Sequence, residues 1–131
     1  MGEPVNETPT FNSNSILDLV KKDLGIVPSY THFDPDIIMH INTALSILTQ
    51  LGVGPDEGFQ IEDNTAVWTD FIPDTPKLNL VKSYVSKKTK QLFDPPTTGP
   101  LAEATTKVLN ELEWRINVFV DPGEKEESNG I

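Results

Sequence analysis

None of the 11 prolines falls within residues 36–54, 77–94 or 101–121. Proline removes a backbone donor and clashes with the preceding turn, so it punctuates helical sequence. Three proline-free windows bounded by prolines therefore mark three long helices, each ~25–30 Å at ~1.5 Å per residue. The first window holds the clearest signal, Phe33 to Gly54. Asp34 is read as the helix cap and Pro35 as its first residue. Ile37, Ile41, Ala44, Leu45, Leu48 and Leu51 recur at helical spacing, with Ile38 and Ile47 widening the apolar arc. Asn42, Thr43, Ser46, Thr49 and Gln50 fill the other side, and Gly52 ends the helix.

The flanking segments follow the same logic. Ser15 caps a short helix that buries Ile16, Leu19, Val20 and Leu24 and stops at Gly25. Residues 52–58 form a loop of tight turns. Asp63 or Asn64 is expected to cap a second short helix carrying Ala66, Val67, Trp68, Phe71 and Ile72, a plug of large side chains. Thr75-Pro76 opens the next long helix, with Leu78, Val81, Tyr84, Val85 and Leu92 as its stripe, and Asp94-Pro95-Pro96 closes it. Gly99-Pro100 opens the last helix. Its expected buried stripe is Leu101, Thr105, Val108, Leu109, Leu112, Ile116 and Phe119. The fold class is therefore all-α: a compact bundle of about five helices, three long and two short, with extended N- and C-terminal tails. The domain division is 1–14 as a flexible extension, 15–120 as the helical domain and 121–131 as an acidic tail. A chain of 131 residues suits one core.

Composition narrows function. The formal net charge of −10 argues against neutralising nucleic-acid phosphates or an anionic membrane. No cysteine is present, which removes thiolate metal sites, disulfides and thiol nucleophiles. No run approaches ~18 apolar residues, and the N-terminus lacks the pattern of a signal peptide. His32, Asp34, Asp36 and His40 lie close in sequence, but a metal site needs further ligands and supporting hydrogen bonds. The Gly52-Val53-Gly54 turn is no phosphate loop, because no Lys-Ser or Lys-Thr follows. The two histidines have no recognisable triad context. We assign no catalytic, metal or cofactor-binding residue, and an enzyme is not expected.

Three residues break the amphipathic pattern. Trp114 falls on the polar side of the last helix, and Met39 on the polar side of the organising helix. Lys88 falls inside the apolar stripe of the fourth helix. Trp114 is covered by a tail or the short helix, or it anchors a protein partner. Lys88 snorkels to water or pairs with another subunit's carboxylate. Charge is also segregated: Lys77, Lys82, Lys87, Lys88 and Lys90 lie in a stretch without acids, so the remainder carries −15 of a total of −10. This is either a solvated surface or a basic helix that faces an acidic surface of the next copy in a ring.

Several ordered segments carry a family resemblance. HINTALSILTQLGVGPDEGFQIEDNTAVWTDFI, then LVKSYVSKKTKQLFDPP, then ELEWRINV resembles the small head–tail connector (adaptor) proteins of tailed bacteriophages. The resemblance runs in order from about Ile16 to Val118. It departs from the pattern at Ser86, Lys87, Thr89 and Gln91, which are more polar than the family's helix, and in the two tails. It implies an all-α virion subunit without catalytic activity, made in the host bacterial cytoplasm and located in the neck. The implied assembly is a homo-oligomeric, dodecameric ring beneath the portal protein. That ring continues the DNA channel to the stopper or tail-completion protein without binding DNA specifically. Trp114, Arg115, Val118 and Phe119 then become candidates for portal or intersubunit contacts, beside Met39 and Lys88. An acidic channel lining would keep attraction for sliding DNA low. The alternatives are a stopper or tail-completion ring and, in a different class, a small helical DNA-binding regulator. The latter lacks a clear basic recognition helix.

Overall fold

A computed structural model describes residues 11–120 of the chain. Five helices follow one another: α1 (Ile16–Leu24), α2 (Asp34–Gln50), α3 (Trp68–Phe71), α4 (Pro76–Phe93) and α5 (Gly99–Val120). The three windows free of proline are α2, α4 and α5. No strand occurs among the described residues, apart from one isolated antiparallel bridge between Ser15 and Val67. The acidic tail and most of the expected N-terminal extension lie outside the described residues.

α2 is the centre of the bundle. Ile37, Ile41, Ala44, Leu45 and Leu48 are completely buried on one side of it. α4 packs on α2, α1 packs on both, and α5 packs on α4. α4 contributes Leu78, Val81, Tyr84 and Val85 to the same core, and α1 contributes Ile16, Leu17 and Val20. Each such side chain stabilises the fold by about 1.5–3 kcal/mol when taken from water. α2 ends in a Schellman arrangement around Gly52: Val53 N–H donates to Leu48 O at 2.9 Å and Gly52 N–H to Thr49 O at 3.0 Å. The reversal drops Val53 into the core.

Two caps differ from expectation. Ser15 does cap α1, its Oγ accepting from Asp18 N–H at 3.2 Å. Asp34, however, caps nothing; Phe33 is the residue before the helix and makes no side-chain cap. The Asp34 carboxylate instead meets the Lys21 ammonium at 2.8 Å. Lys21 is fully buried, and its Nζ also donates to Pro28 O at 3.0 Å and Tyr30 O at 2.8 Å. One lysine thus satisfies the carbonyls of the α1–α2 connection and ties it to α2.

The second short helix is shorter than expected. Residues 66–67 are not helical, and α3 holds only Trp68–Phe71. Asp63 turns inward on its own segment, accepting from Thr65 N–H at 2.9 Å and from the Thr65 hydroxyl at 2.6 Å. These bonds hold its carboxyl below the usual carboxylate range. The following residues are drawn into extended pairing, with Ile16 N–H donating to Ala66 O and Trp68 N–H to Asn14 O, both at 3.1 Å. Asp70 caps α3 instead, accepting from Val67 N–H at 3.1 Å. The plug itself is present: Trp68, Phe71 and Ile72 are buried. Asn42 fastens the preceding extended piece to α2 by pairing both its amide groups with Ile61, at 2.8 and 3.1 Å.

Candidate protein interface

α5 packs on the bundle chiefly through α4, and that one-sided support decides which of its side chains are covered. Only Leu109 and Ile116, two turns apart, are buried, with Leu112 and Val120 half-buried beside them. Tyr84 reaches across from α4, and its hydroxyl donates to Glu113 Oε2 at 2.7 Å. Burial, followed by the Glu113 carboxylate, pushes the Tyr84 phenol well above its ordinary value. The neutral phenol is therefore the form the fold favours. Stability from this pair is present below the unfolded tyrosine pKa of about 10 and is lost as pH rises beyond it. We expect Tyr84→Phe to cost about 1.5–3 kcal/mol in urea unfolding at neutral pH. It should also flatten the fall in stability expected of the wild-type chain above pH about 10. An unchanged alkaline limb in the variant would contradict this assignment.

The remaining apolar residues of α5 face away from the core. Leu101, Val108 and Phe119 were expected in the buried stripe, yet Leu101 is 57% exposed and Phe119 50% exposed. Their spacing places them along one line of the helix, adjoining half-buried Leu112. The physical reason is geometric. An apolar arc about half a helix wide needs neighbours on two sides, and α4 covers only one. Thr105 is half-buried, and Leu92 of α4 is likewise exposed, because α4 turns Phe93 inward in its place.

The six candidate residues are placed as follows. Trp114 is 67% exposed, and no described residue covers it. Val118 lies one turn further along the same flank and is exposed. Arg115 makes an i,i+4 pair with Glu111, at 2.8 and 3.0 Å, on the exposed surface. Such a pair adds little to stability. Trp114, Arg115, Val118 and Phe119 are thus brought together on the last two turns of α5. Met39 is exposed on the outer side of α2, in a shallow depression with Pro35, Thr43 and Gln60. Lys88 is half-buried in the α4 stripe and donates to Gln91 Oε1 at 3.1 Å. Neither Met39 nor Lys88 belongs to the α5 surface.

A second exposed cluster escaped the sequence reading. Tyr30, His32 and Phe33 stack in a group with Phe93 and His40, with His32–Phe33 centroids 4.9 Å apart and Phe33–Phe93 5.4 Å apart. These residues come from the α1–α2 connection, α2 and the end of α4, so only the fold assembles them. Among the described residues no group of three or more histidine and acidic side chains is placed to hold a metal. No described helix is long and apolar enough to cross a membrane.

A family model described as phage connector protein matches residues 16–123. No match was found among curated proteins or among solved structures. The matched range takes in all five helices, the exposed α5 face included.

Proposed function

The chain belongs to the phage connector protein family and is a structural component of the phage neck; from that premise we propose that it is the head–tail adaptor. In this reading it forms a homo-oligomeric, dodecameric ring beneath the portal and passes the DNA channel on to the stopper or tail-completion protein. The single observation that carries the proposal is the uncovered apolar face of α5. Leu101, Val108, Phe119 and Trp114 leave one helix of a small domain apolar on the outside as well as the inside. Leu101, Val108 and Phe119 share one line of the helix, and an exposed apolar line of that kind is the mark of a protein contact, while Trp114 stands on another side of α5. Trp114, with Arg115 beside it, has the composition of an interface anchor. DNA passes through the ring without specific binding, which accords with a net charge of −10.

Native mass spectrometry of the chain alone and mixed with the portal tests this. We expect binding in the portal's stoichiometry. Trp114→Ala should leave stability within about 0.5 kcal/mol of wild type, because the side chain is exposed. The same change should weaken assembly by about thirtyfold or more, the loss of an anchor worth about 2 kcal/mol. Binding to a downstream tail protein but not to the portal would place the chain in the stopper ring instead.

A further inference from the structure

A groove of about 540 Å³ opens between α1, the start of α2 and the turn at residues 62–64. Asp18, Asp34, Glu62 and Asp63 all line it. The Asp34 carboxylate is engaged by Lys21, the only cationic residue in the lining. Asp18 is different. It is 7% exposed, yet its carboxylate has no hydrogen-bond or ion partner among the described residues. Its backbone N–H bonds the Ser15 cap, which holds the residue in place without using the carboxylate. The groove is the side from which a counter-charge can reach it. The groove mouth is acidic too, since Glu62 and Asp63 are exposed there. The site therefore suits a long side chain ending in a positive charge.

The complementary surface lies on the same molecule but on another side. From Asp23 to Thr75 the sequence holds acids and no lysine or arginine, whereas α4 holds lysines and no acid. Lys87 and Lys90 are exposed on the outer face of α4, and neither has a carboxylate partner among the described residues. Lys82 and Lys87 adjoin α1 along the flank that carries Lys22 and Asp23. The groove adjoins the other flank, which carries Leu17, Asp18 and Lys21. α1 thus lies between the acidic groove and the lysine face, so Lys87 and Lys90 stand apart from the groove of their own molecule. Two different, complementary surfaces on one chain make a head-to-tail contact, and such contacts generate rings when the rotation closes.

We propose that the groove receives the α4 lysine face of the next copy, with a lysine ammonium reaching toward Asp18 between Glu62 and Asp63. This inference rests on the ring reading above and names the surfaces that join its subunits. Three exposed residues allow a test that spares the core and the Asp63 turn. Full-length chains carrying Glu62→Lys, or Lys87→Glu and Lys90→Glu, are compared with wild type by sedimentation, alone and bound to portal. Each reversed chain should keep native helical circular dichroism and self-associate about tenfold or more weakly. An equimolar mixture of the two should assemble again, because each reversed surface then meets its opposite. Asp18→Asn should weaken assembly without changing the sign of the mouth. Reversed chains that assemble like wild type, or a mixture that fails to recover, would overturn the lysine-in-groove contact and leave the ring intact. A wild-type chain that never associates with itself, even on the portal, would overturn the ring reading and this contact together.

Discussion

Lys21→Met is expected to lower the unfolding free energy by about 3 kcal/mol. Methionine keeps the length and apolar stem of lysine, so packing between α1 and α2 is nearly conserved. What disappears is the ammonium. Pro28 O and Tyr30 O, at 3.0 and 2.8 Å, lose their donor, and the Asp34 carboxylate, 2.8 Å away, loses its counter-charge. Removing one partner of a buried ion pair typically costs about 3–5 kcal/mol. The lower end applies because the Asp34 side chain is 20% exposed and water can partly compensate. For a domain whose whole stability is about 5–15 kcal/mol, the loss is severe. Hydrogen exchange should quicken first at Ile26 and Tyr30, whose connection the ammonium holds. Asp34→Asn is the companion variant: it removes the negative charge but keeps an acceptor, and it should cost less. A Lys21→Met midpoint in urea within experimental error of wild type would show that the connection holds itself.

Gly54→Ala is expected to cost about 2–4 kcal/mol. Gly54 has φ +82, in the left-handed region where a Cβ costs about 1–2 kcal/mol. A methyl there would also run into the ring of Phe71, so the plug residue must shift. Overpacking of that kind typically costs a further 1–3 kcal/mol. Phe71 stacks on Phe59 at 5.3 Å, and Phe59 precedes the segment that Asn42 pins to α2. A displaced Phe71 therefore disturbs the 59–61 piece as well as α3. Gly25→Ala separates the two causes. Gly25 has φ +80, but a Cβ there meets nothing within 4 Å, so that variant carries the backbone cost alone. Equal losses in the two variants would mean that the Phe71 contact relaxes freely.

The legible parts of the fold are those set by local chemistry. Pro35, Pro76 and Pro100 sit in the first turns of α2, α4 and α5, and Gly52 reverses the chain after α2. Proline and glycine act through their own backbone geometry, so their meaning survives without neighbours. Caps were less legible. Asp34 and Asp63 each had a helix to cap, and each found a competing partner, Lys21 for one and Thr65 for the other. Nothing in the string DLVKKDL distinguishes Lys21, fully buried, from Lys22, exposed. Of the candidate interface, Trp114 could be read from its departure from the apolar stripe. Leu101, Val108 and Phe119 could not, because they obey the stripe and were assigned to the core.

The sequence by itself determined that this chain makes three long helices, which prolines open them and which residues stop α2 and α4, and that α2 lies at the centre. Those properties follow from helical periodicity and from residues that forbid a helix locally. Only the tertiary structure decided which side of α5 is covered, where the Lys21 ammonium goes and which acids gather around Asp18. Hydrophobic periodicity states that a face is apolar, but not how many neighbours are available to bury it. With α4 as the main support for α5, the rest of that apolar face stays outside.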